Sequence, residues 1–319
     1  MSVEHGFSPS QADHGALMAN IHTVSDWPFA TTLKGFDEFL FYHLMERPMK
    51  SEQIFNIKES SQYQEDTITA GGGGIMPTKL EGQALEYDEL NEGFRKTFTH
   101  IDYGLGKRLT RNLLINDLSG TMSEMGEESA RQARATQETL RSNHLNRAFN
   151  STYTGPDGIE LCATDHVRED GSTYANELAS AADLSQTSLE QALIDFSDIR
   201  DGGGKRVQVD PKYLLVPKEL RFEADRYLRS NFAPEDDTNA VNPLSDVGLQ
   251  PCVWNYLTDT DAWFIVADKR DHRMTVYERE APWSDYEFDF DTKDYKFSLM
   301  FAESSGWSDP RGVFGSPGV

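Results

Sequence analysis

The chain has 319 residues, a mass of 36.0 kDa and a formal net charge of -23, with 38% hydrophobic residues and 18 Phe, 12 Tyr and 5 Trp. That length allows one large or two ordinary domains with a real core, and the aromatic content excludes a disordered chain. The charge excludes sequence-specific binding to nucleic acid, whose affinity comes from Lys and Arg neutralising phosphates.

The two cysteines, Cys162 and Cys252, form no CxxC pair, which predicts a reducing compartment without a disulfide or a zinc ribbon. Residues 1–20 show no basic stretch followed by an apolar one, and no apolar run approaches the ~18 residues of a membrane span. A soluble protein of intracellular origin is expected.

Residues 1–48 predict an extended arm ending in a short apolar helix, Phe36 to Leu44, that needs a surface to lie on. Residues 49–110 predict strands. Ile54–Ile57 and Thr67–Thr69 precede the run Gly71-Gly72-Gly73-Gly74, and Phe94–Ile101 follows with Thr and aromatics in alternation. Four glycines carry no side chains to pack, so the region suggests a long two-stranded excursion with a loose tip. An isolated ribbon is marginal in water and is expected to rest on a neighbouring subunit.

The longest helical pattern spans 111–149, on the order of 57 Å if continuous. Leu114, Leu118, Met122, Met125, Ala133, Leu140, His144 and Ala148 fall near one face. Glu127, Glu128, Arg131, Arg134, Glu138 and Arg141 are assigned to the solvent face. Gly120 and Gly126 each weaken a helix by about 1 kcal/mol relative to Ala and predict a bend or break. Turn chemistry at Tyr153–Gly158 closes this section, which extends to 182.

A second αβ region is expected over 183–270. Thr187 with Glu190 forms a capping box, Leu189, Leu193, Phe196 and Ile199 form a buried stripe, and Gly202–Gly204 stop the helix. Tyr213–Val216 predicts a buried strand, and after Pro217 a helix buries Leu220, Ala224 and Leu228. Strands follow near 252–257, 263–267 and 275–278. In the last section, 271–319, Tyr286–Phe290 and Tyr295–Phe301 predict a hairpin closed by Asp291–Asp294. The fold class is α+β with one very long helix and no internal repeat.

Chemical motifs are sparse. Asp201-Gly202-Gly203-Gly204-Lys205-Arg206 lacks the hydroxyl residue of a phosphate loop and follows a helix, so it is a helix stop. Asp165, His166, Glu169 and Asp170 are ligands of mixed type on a loop, better explained by local backbone bonding than by a metal. Asp259, Asp261, Asp289, Asp291 and Asp294 match no EF-hand spacing. There is no nucleophile elbow or paired-His zinc motif, and no catalytic residue, cofactor or metal is expected.

Arm, β-excursion, long helix, αβ region and C-terminal hairpin, in that order, resemble the major capsid proteins of tailed bacteriophages with the Hong Kong 97-type fold. The strings Leu161-Cys162-Ala163-Thr164-Asp165-His166, Tyr213-Leu214-Leu215-Val216-Pro217-Lys218-Glu219-Leu220, Asn242-Pro243-Leu244, Trp263-Phe264-Ile265 and Gly306-Trp307-Ser308-Asp309-Pro310-Arg311-Gly312 carry the likeness. The resemblance implies an N-terminal arm (1–48), an E-loop ribbon (49–110), the spine helix and following loop of the P-domain (111–182), an A-domain (183–270) and a C-terminal P-domain hairpin and tail (271–319). It implies an inter-subunit tip at Gly71, Gly72, Gly73 and Gly74 and a spine-helix face of Leu114, Leu118, Met122, Met125 and Leu140.

The implied function is a structural one: hexamers and pentamers of this chain in an icosahedral shell around double-stranded DNA, assembled in the host cytoplasm and with no membrane partner. Portal and accessory head proteins would be partners. Fewer than about fifty residues precede the ribbon, too few for a coiled coil of several heptads, so a separate scaffolding protein is expected. An acidic inner wall would let packaged DNA slide. Lys50, Lys58 and Lys79 lie in or beside the excursion, but no catalytic carboxylate marks a cross-link. An encapsulin-like nanocompartment shell shares the implied fold and would be told apart by a neighbouring cargo-enzyme gene. An acidic cytosolic hydrolase using Asp165 and His166 is the alternative from another class.

Overall fold

The computed structural model describes residues 42, 44, 48–70, 75–85, 87, 92–115, 121–169, 171–232 and 241–319. In chain order the elements are α1 (Ser51–Ile54), β1 (Asn56–Glu59), β2 (Gln64–Ala70), β3 (Glu92–Thr99), β4 (Ile101–Leu109), α2 (Arg111–Ile115) and α3 (Thr121–Asn146). Next come β5 (His166–Val167), β6 (Thr173–Tyr174), α4 (Gln186–Ser197), β7 (Pro211–Val216), α5 (Arg221–Arg229) and a 3-10 turn (Pro243–Asp246). Strands β8 (Gln250–Val253), β9 (Trp263–Ala267), β10 (Met274–Phe288), β11 (Tyr295–Trp307) and β12 (Val313–Ser316) complete an α+β chain. None of its described helices is long and apolar enough to cross a membrane. The chain divides into two compact units. One comprises Met1–Arg47, Lys107–Gln132 and Tyr286–Phe297, the other Pro48–Gly106, Ala133–Asp285 and Ser298–Val319.

The larger unit is organised by a four-stranded sheet in the order β12-β9-β7-β8. β9 pairs antiparallel with both β12 and β7, and β7 pairs parallel with β8. Successive residues of a strand point to opposite faces. Trp263, Ile265 and Ala267 therefore join Leu189, Ala192 and Phe196 of α4 and Ala224 and Leu228 of α5 in one core cluster. Phe264 and Val266 join Leu145, Cys162, Trp254 and Met274 in the other. A strand buried on both faces needs no polar alternation, which is why Trp-Phe-Ile-Val-Ala is apolar throughout.

Two local expectations are corrected in this unit. The cap of α4 is Ser185, whose side chain accepts from Ser188 N while Ser188 Oγ accepts from Ser185 N; Thr187 and Glu190 do not form the box. Ser185 is the residue with extended backbone just before the first helical turn, and only that position can face the orphan amide. Ile54 also ends a helical turn and does not begin a strand. Ile54 and Phe55 are both fully buried, which alternation against one surface does not allow, and β1 starts at Asn56.

A second sheet has the order β1-β10-β11-β4, with Asn56 opposite Thr275 in parallel register. β2 and β3 form a separate antiparallel ribbon, Gln64 opposite Thr99, with an irregularity between Ile68 and Ala70.

Helix α3 has 26 residues, about 39 Å of helix. Gly126 lies inside it without breaking it, and α2 is a separate short helix; Gly120 falls outside the described residues. The buried positions are Ala130, Ala133, Gln137, Glu138, Arg141, Ser142 and Leu145. This corrects the expected facing. Glu138 and Arg141, assigned to solvent, are buried, while Met125, Leu140 and His144 are only half-buried. The reason is distant partners that no local pattern contains: Arg141 pairs with Glu303 and Glu278, and Glu138 accepts from Trp254 and Ser51, so burying them costs less than their type suggests.

In the smaller unit, Arg108 pairs with Asp294 at 2.9 Å and donates to Thr292 Oγ1 at 3.1 Å. Lys293, with a positive φ of 59°, sets its ammonium 3.9 Å from the ring centre of Phe290. Asp289 Oδ1 accepts from the amides of Asp291 and Thr292, the local bonding that shapes a tight hairpin end.

Candidate functional site

The β2–β3 ribbon is anchored at its base. Phe98 is buried and lies 5.2 Å from the Tyr277 ring, and Tyr277 OH is 3.1 Å from Thr67 Oγ1. Gly306 gives Phe98 its place, since a Cβ there would come within 2.9 Å of that ring. His100 follows the last residue of β3. Its ring nitrogens lie 3.0 Å from Ser60 Oγ and 3.1 Å from Ser304 Oγ, and burial lowers its pKa.

Away from this base the ribbon is wet on its outer face, where Asp66 receives Arg95 at 2.8 Å and Thr97 Oγ1 at 2.5 Å. Beyond β2, residues 75–85 are all exposed. They and Tyr87 include large apolar side chains without cover: Ile75, Met76 (93% exposed), Leu80, Leu85 and Tyr87 (92%). Each would gain about 1.5–3 kcal/mol on burial, so this segment is an unmet demand for a partner surface. The glycines expected at the tip, Gly71 to Gly74, lie outside the described residues.

Helix α3 is fixed by buried charges. Arg141 is fully enclosed and donates to Glu303 Oε2 at 2.7 Å, Glu278 Oε1 at 3.1 Å and Ser51 Oγ at 3.3 Å. Glu138 accepts Trp254 Nε1 at 2.5 Å and the amide of Ser51 at 3.2 Å. The partners lie far away in the chain, so no sequence spacing marks them. Of the expected spine face, Leu114 lies on α2, Met122 is in the first turn of α3, Met125 and Leu140 are half-buried, and Leu118 falls outside the described residues.

The residues weighed for chemistry do not assemble into a reactive site. Asp165 is exposed and His166 is fully buried; His166 Nδ1 faces Asp157 Oδ2 at 2.6 Å, a partner the sequence reading missed, and its ring stacks on Tyr174. Such a pair has the form of a catalytic dyad, but a ring closed to solvent meets no substrate. Cys162 is buried and its thiol pushed well up by that burial, the state of an inert core cysteine. Asp201 Oδ1 accepts from the amides of Gly203 and Lys205, so the glycine loop has already spent donors that a phosphate would need. Among the described residues no three His, Cys, Asp or Glu come together to hold a metal; Asp170 lies outside them.

A protein-family model described as phage capsid protein matches residues 95–315. No curated protein matches the sequence. Among solved structures, the fold is similar to the procapsid of bacteriophage JBD30, with 13% identity, a TM-score of 0.51 and coverage of 97% of this chain and 76% of that one. It is also similar to a structure from Microbacterium phage Oxtober96, with 11% identity, a TM-score of 0.52 and coverage of 96% and 98%. The capsid of an empty GTA particle is matched at 11% identity and a TM-score of 0.51, over 85% of this chain and 90% of that one. Those likenesses establish the Hong Kong 97-type fold, the family model covers more than half of the chain, and the chain therefore belongs to the phage capsid protein family.

Proposed function

We propose that this chain is the major capsid protein of a tailed phage, a subunit whose work is to build the shell. The observation that carries this reading is the bare apolar segment around Ile75, Met76, Leu80, Leu85 and Tyr87 beyond a two-stranded ribbon. A monomer gains nothing from such exposure, whereas a neighbouring copy in a closed shell would cover it. Supporting the family's division of labour, the ribbon acts as the E-loop laid across a neighbour, and the lobe of α4, β7 and α5 acts as the A-domain at the capsomer centre. The shell forms in the host cytoplasm around double-stranded DNA, with a separate scaffolding protein and a portal as partners. No catalytic step is required of the chain.

The test is electron microscopy of the purified recombinant protein, alone and with the scaffolding protein encoded beside it. Uniform closed shells or capsomer rings are expected. A persistent monomer of 36.0 kDa under all conditions would overturn the reading.

A further inference from the structure

The chain carries a net charge of -23, yet one helix turns cations outward. Helix α5 buries Ala224, Tyr227 and Leu228 and leaves Phe222, Arg226 and Arg229 on one exposed stripe. Phe222 is 75% exposed, and Arg221 beside it is exposed too. The carboxylates of this helix, Glu223 and Asp225, are half-buried, and Asp225 is taken by Arg229 at 3.3 Å. Lys218 and Glu219, just before the helix, pair with each other.

Helix α4 is the counterpart. It buries Leu189, Ala192 and Phe196 and turns Thr187, Gln191 and Ile194 outward, in line with Asp198 at its C-cap. Ile194 is 60% exposed, Glu190 and Asp195 flank it, and α4 contains no Lys or Arg. Asp198 holds Arg206 of the following loop at 3.1 Å. A bare apolar side chain ringed by charge is the form of an interface anchor with a polar rim, and each helix carries one.

Both helices cover the same face of the β12-β9-β7-β8 sheet, at opposite borders. α5 packs on β8 and β7. The approach to α4 is tied to the β12 side, where Ser316 Oγ donates to Ala182 O and Val319 N donates to Asp183 Oδ1. One copy thus offers a cationic stripe at one border and an acidic stripe at the other. Two cationic stripes repel, as do two acidic ones, so a two-fold contact through either helix is disfavoured and α5 against α4 is favoured.

We propose that the α5 stripe of one copy docks on the α4 stripe of the next, Phe222 against Ile194, in a head-to-tail contact that closes copies into rings. The place of this contact within a capsomer rests on the shell reading above. Two short helices bury little area, so a single contact is weak and closure of the ring secures it.

Charge reversal in the full-length chain tests the contact, with circular dichroism to confirm folding and electron microscopy to score particles. Arg226→Glu with Arg229→Glu, or Glu190→Lys with Asp195→Lys, sets like against like and should cut shell yield about tenfold or more. Both pairs in one chain restore attraction at every contact and should recover closed shells. Mixing the two separately reversed proteins gives attraction only where they alternate. A ring can alternate only with an even number of members, so the mixture should build hexamers and open tubes or sheets, without the pentamers that closure requires. Normal shells from either reversed protein alone, or no rescue in the combined chain, would overturn the contact and leave the shell reading standing.

A second readout does not depend on shells. Phe222→Cys with Ile194→Cys in one chain, treated with a short bismaleimide, should give a ladder of linked copies, since Cys162 and Cys252 are buried. Phe222→Cys alone should give no linked product. Absence of the ladder, or dimers from Phe222→Cys alone, overturns the head-to-tail contact. If the parent chain forms no shells, the shell reading fails separately and the ladder alone decides.

Discussion

Replacing Arg141 with Met removes the centre of the buried charge network while keeping roughly its unbranched stem. Glu303, 3% exposed, then loses its 2.7 Å partner and keeps Gln137 Nε2 at 3.3 Å, a neutral donor. Glu278 also loses Arg141, but its side chain is 26% exposed and water can replace part of that contact. The cost is therefore carried mainly by Glu303, and leaving such a charge uncompensated costs about 3–5 kcal/mol. That is a large share of the about 5–15 kcal/mol that holds an ordinary protein folded. Removing both charges with Arg141→Met and Glu303→Met leaves no buried charge unpaired, only the neutral Gln137 Nε2 without its acceptor, and the double variant should return to within about 1–3 kcal/mol of the parent. Urea unfolding of the unassembled subunit, followed by tryptophan fluorescence, measures both; Trp254 reports directly because it donates to Glu138 in the same cluster. A single variant costing under about 1 kcal/mol, or a double variant no better than the single, would refute the argument that pairing justifies burial here.

Burial holds His272 and His144 down at a pKa of about 4, against an ordinary 6.5. Because the folded values are depressed, the stability from keeping these rings neutral is complete above about pH 6.5 and is lost as the pH falls toward 4, by about 3 kcal/mol per ring. A Tm unchanged between pH 7 and 4.5 would contradict this. Gly312, at φ 89° with His272 Cβ 2.9 Å from any added methyl, should lose about 1–3 kcal/mol on Gly312→Ala, read by thermal melting. Gly158, at φ 84° with nothing within 4 Å, should lose only the backbone part, about 1 kcal/mol, and equal losses at the two sites would discount the steric argument. Met76→Ser with Tyr87→Ser should leave subunit stability within about 0.5 kcal/mol and sharply reduce shell yield in sedimentation. Normal yield would remove the role assigned to that segment.

Local pattern made much of this fold legible. The stripe Leu189, Leu193, Phe196 is the inward face of α4, and the continuous run at Trp263 to Ala267 is a strand with two buried faces. Alternation at Tyr286–Phe288 falls at the end of β10 and Tyr295–Phe301 in β11, neighbours in one sheet, while Asp289 and Phe290 belong to the turn. What escaped the reading was set by distant partners. Arg141 and Glu303 are separated by 162 residues, so a helical wheel could only assign Arg141 to water. The same applies to His166, whose neighbour in sequence is Asp165 but whose partner in space is Asp157. β12 is four residues containing Gly and Ser, too short and too mixed for periodicity, and its register with β9 makes it a strand. As for the candidate site, a ribbon could be read from Thr-rich alternation around a glycine run. The uncovered state of Met76 and Tyr87 could not, because exposure is a property of what fails to pack.

Strand β12 has a consequence for timing. Val313 to Ser316 are fully enclosed, hydrogen-bonded along β9, and Phe314 and Val313 sit in the two opposite clusters of the central sheet. β1, near the other side of the described chain, ladders with β10, Asn56 meeting Thr275. While a ribosome is still making this polypeptide, residues emerging first have no finished surface to join and the sheet lacks its border. Until synthesis has passed residue 316, β9 has an unpaired edge and both clusters lack a member. Non-local pairing of this sort also slows closure of the native state. A copy cut short of β12 would therefore lack the border of its central sheet and a residue from each of its two cores.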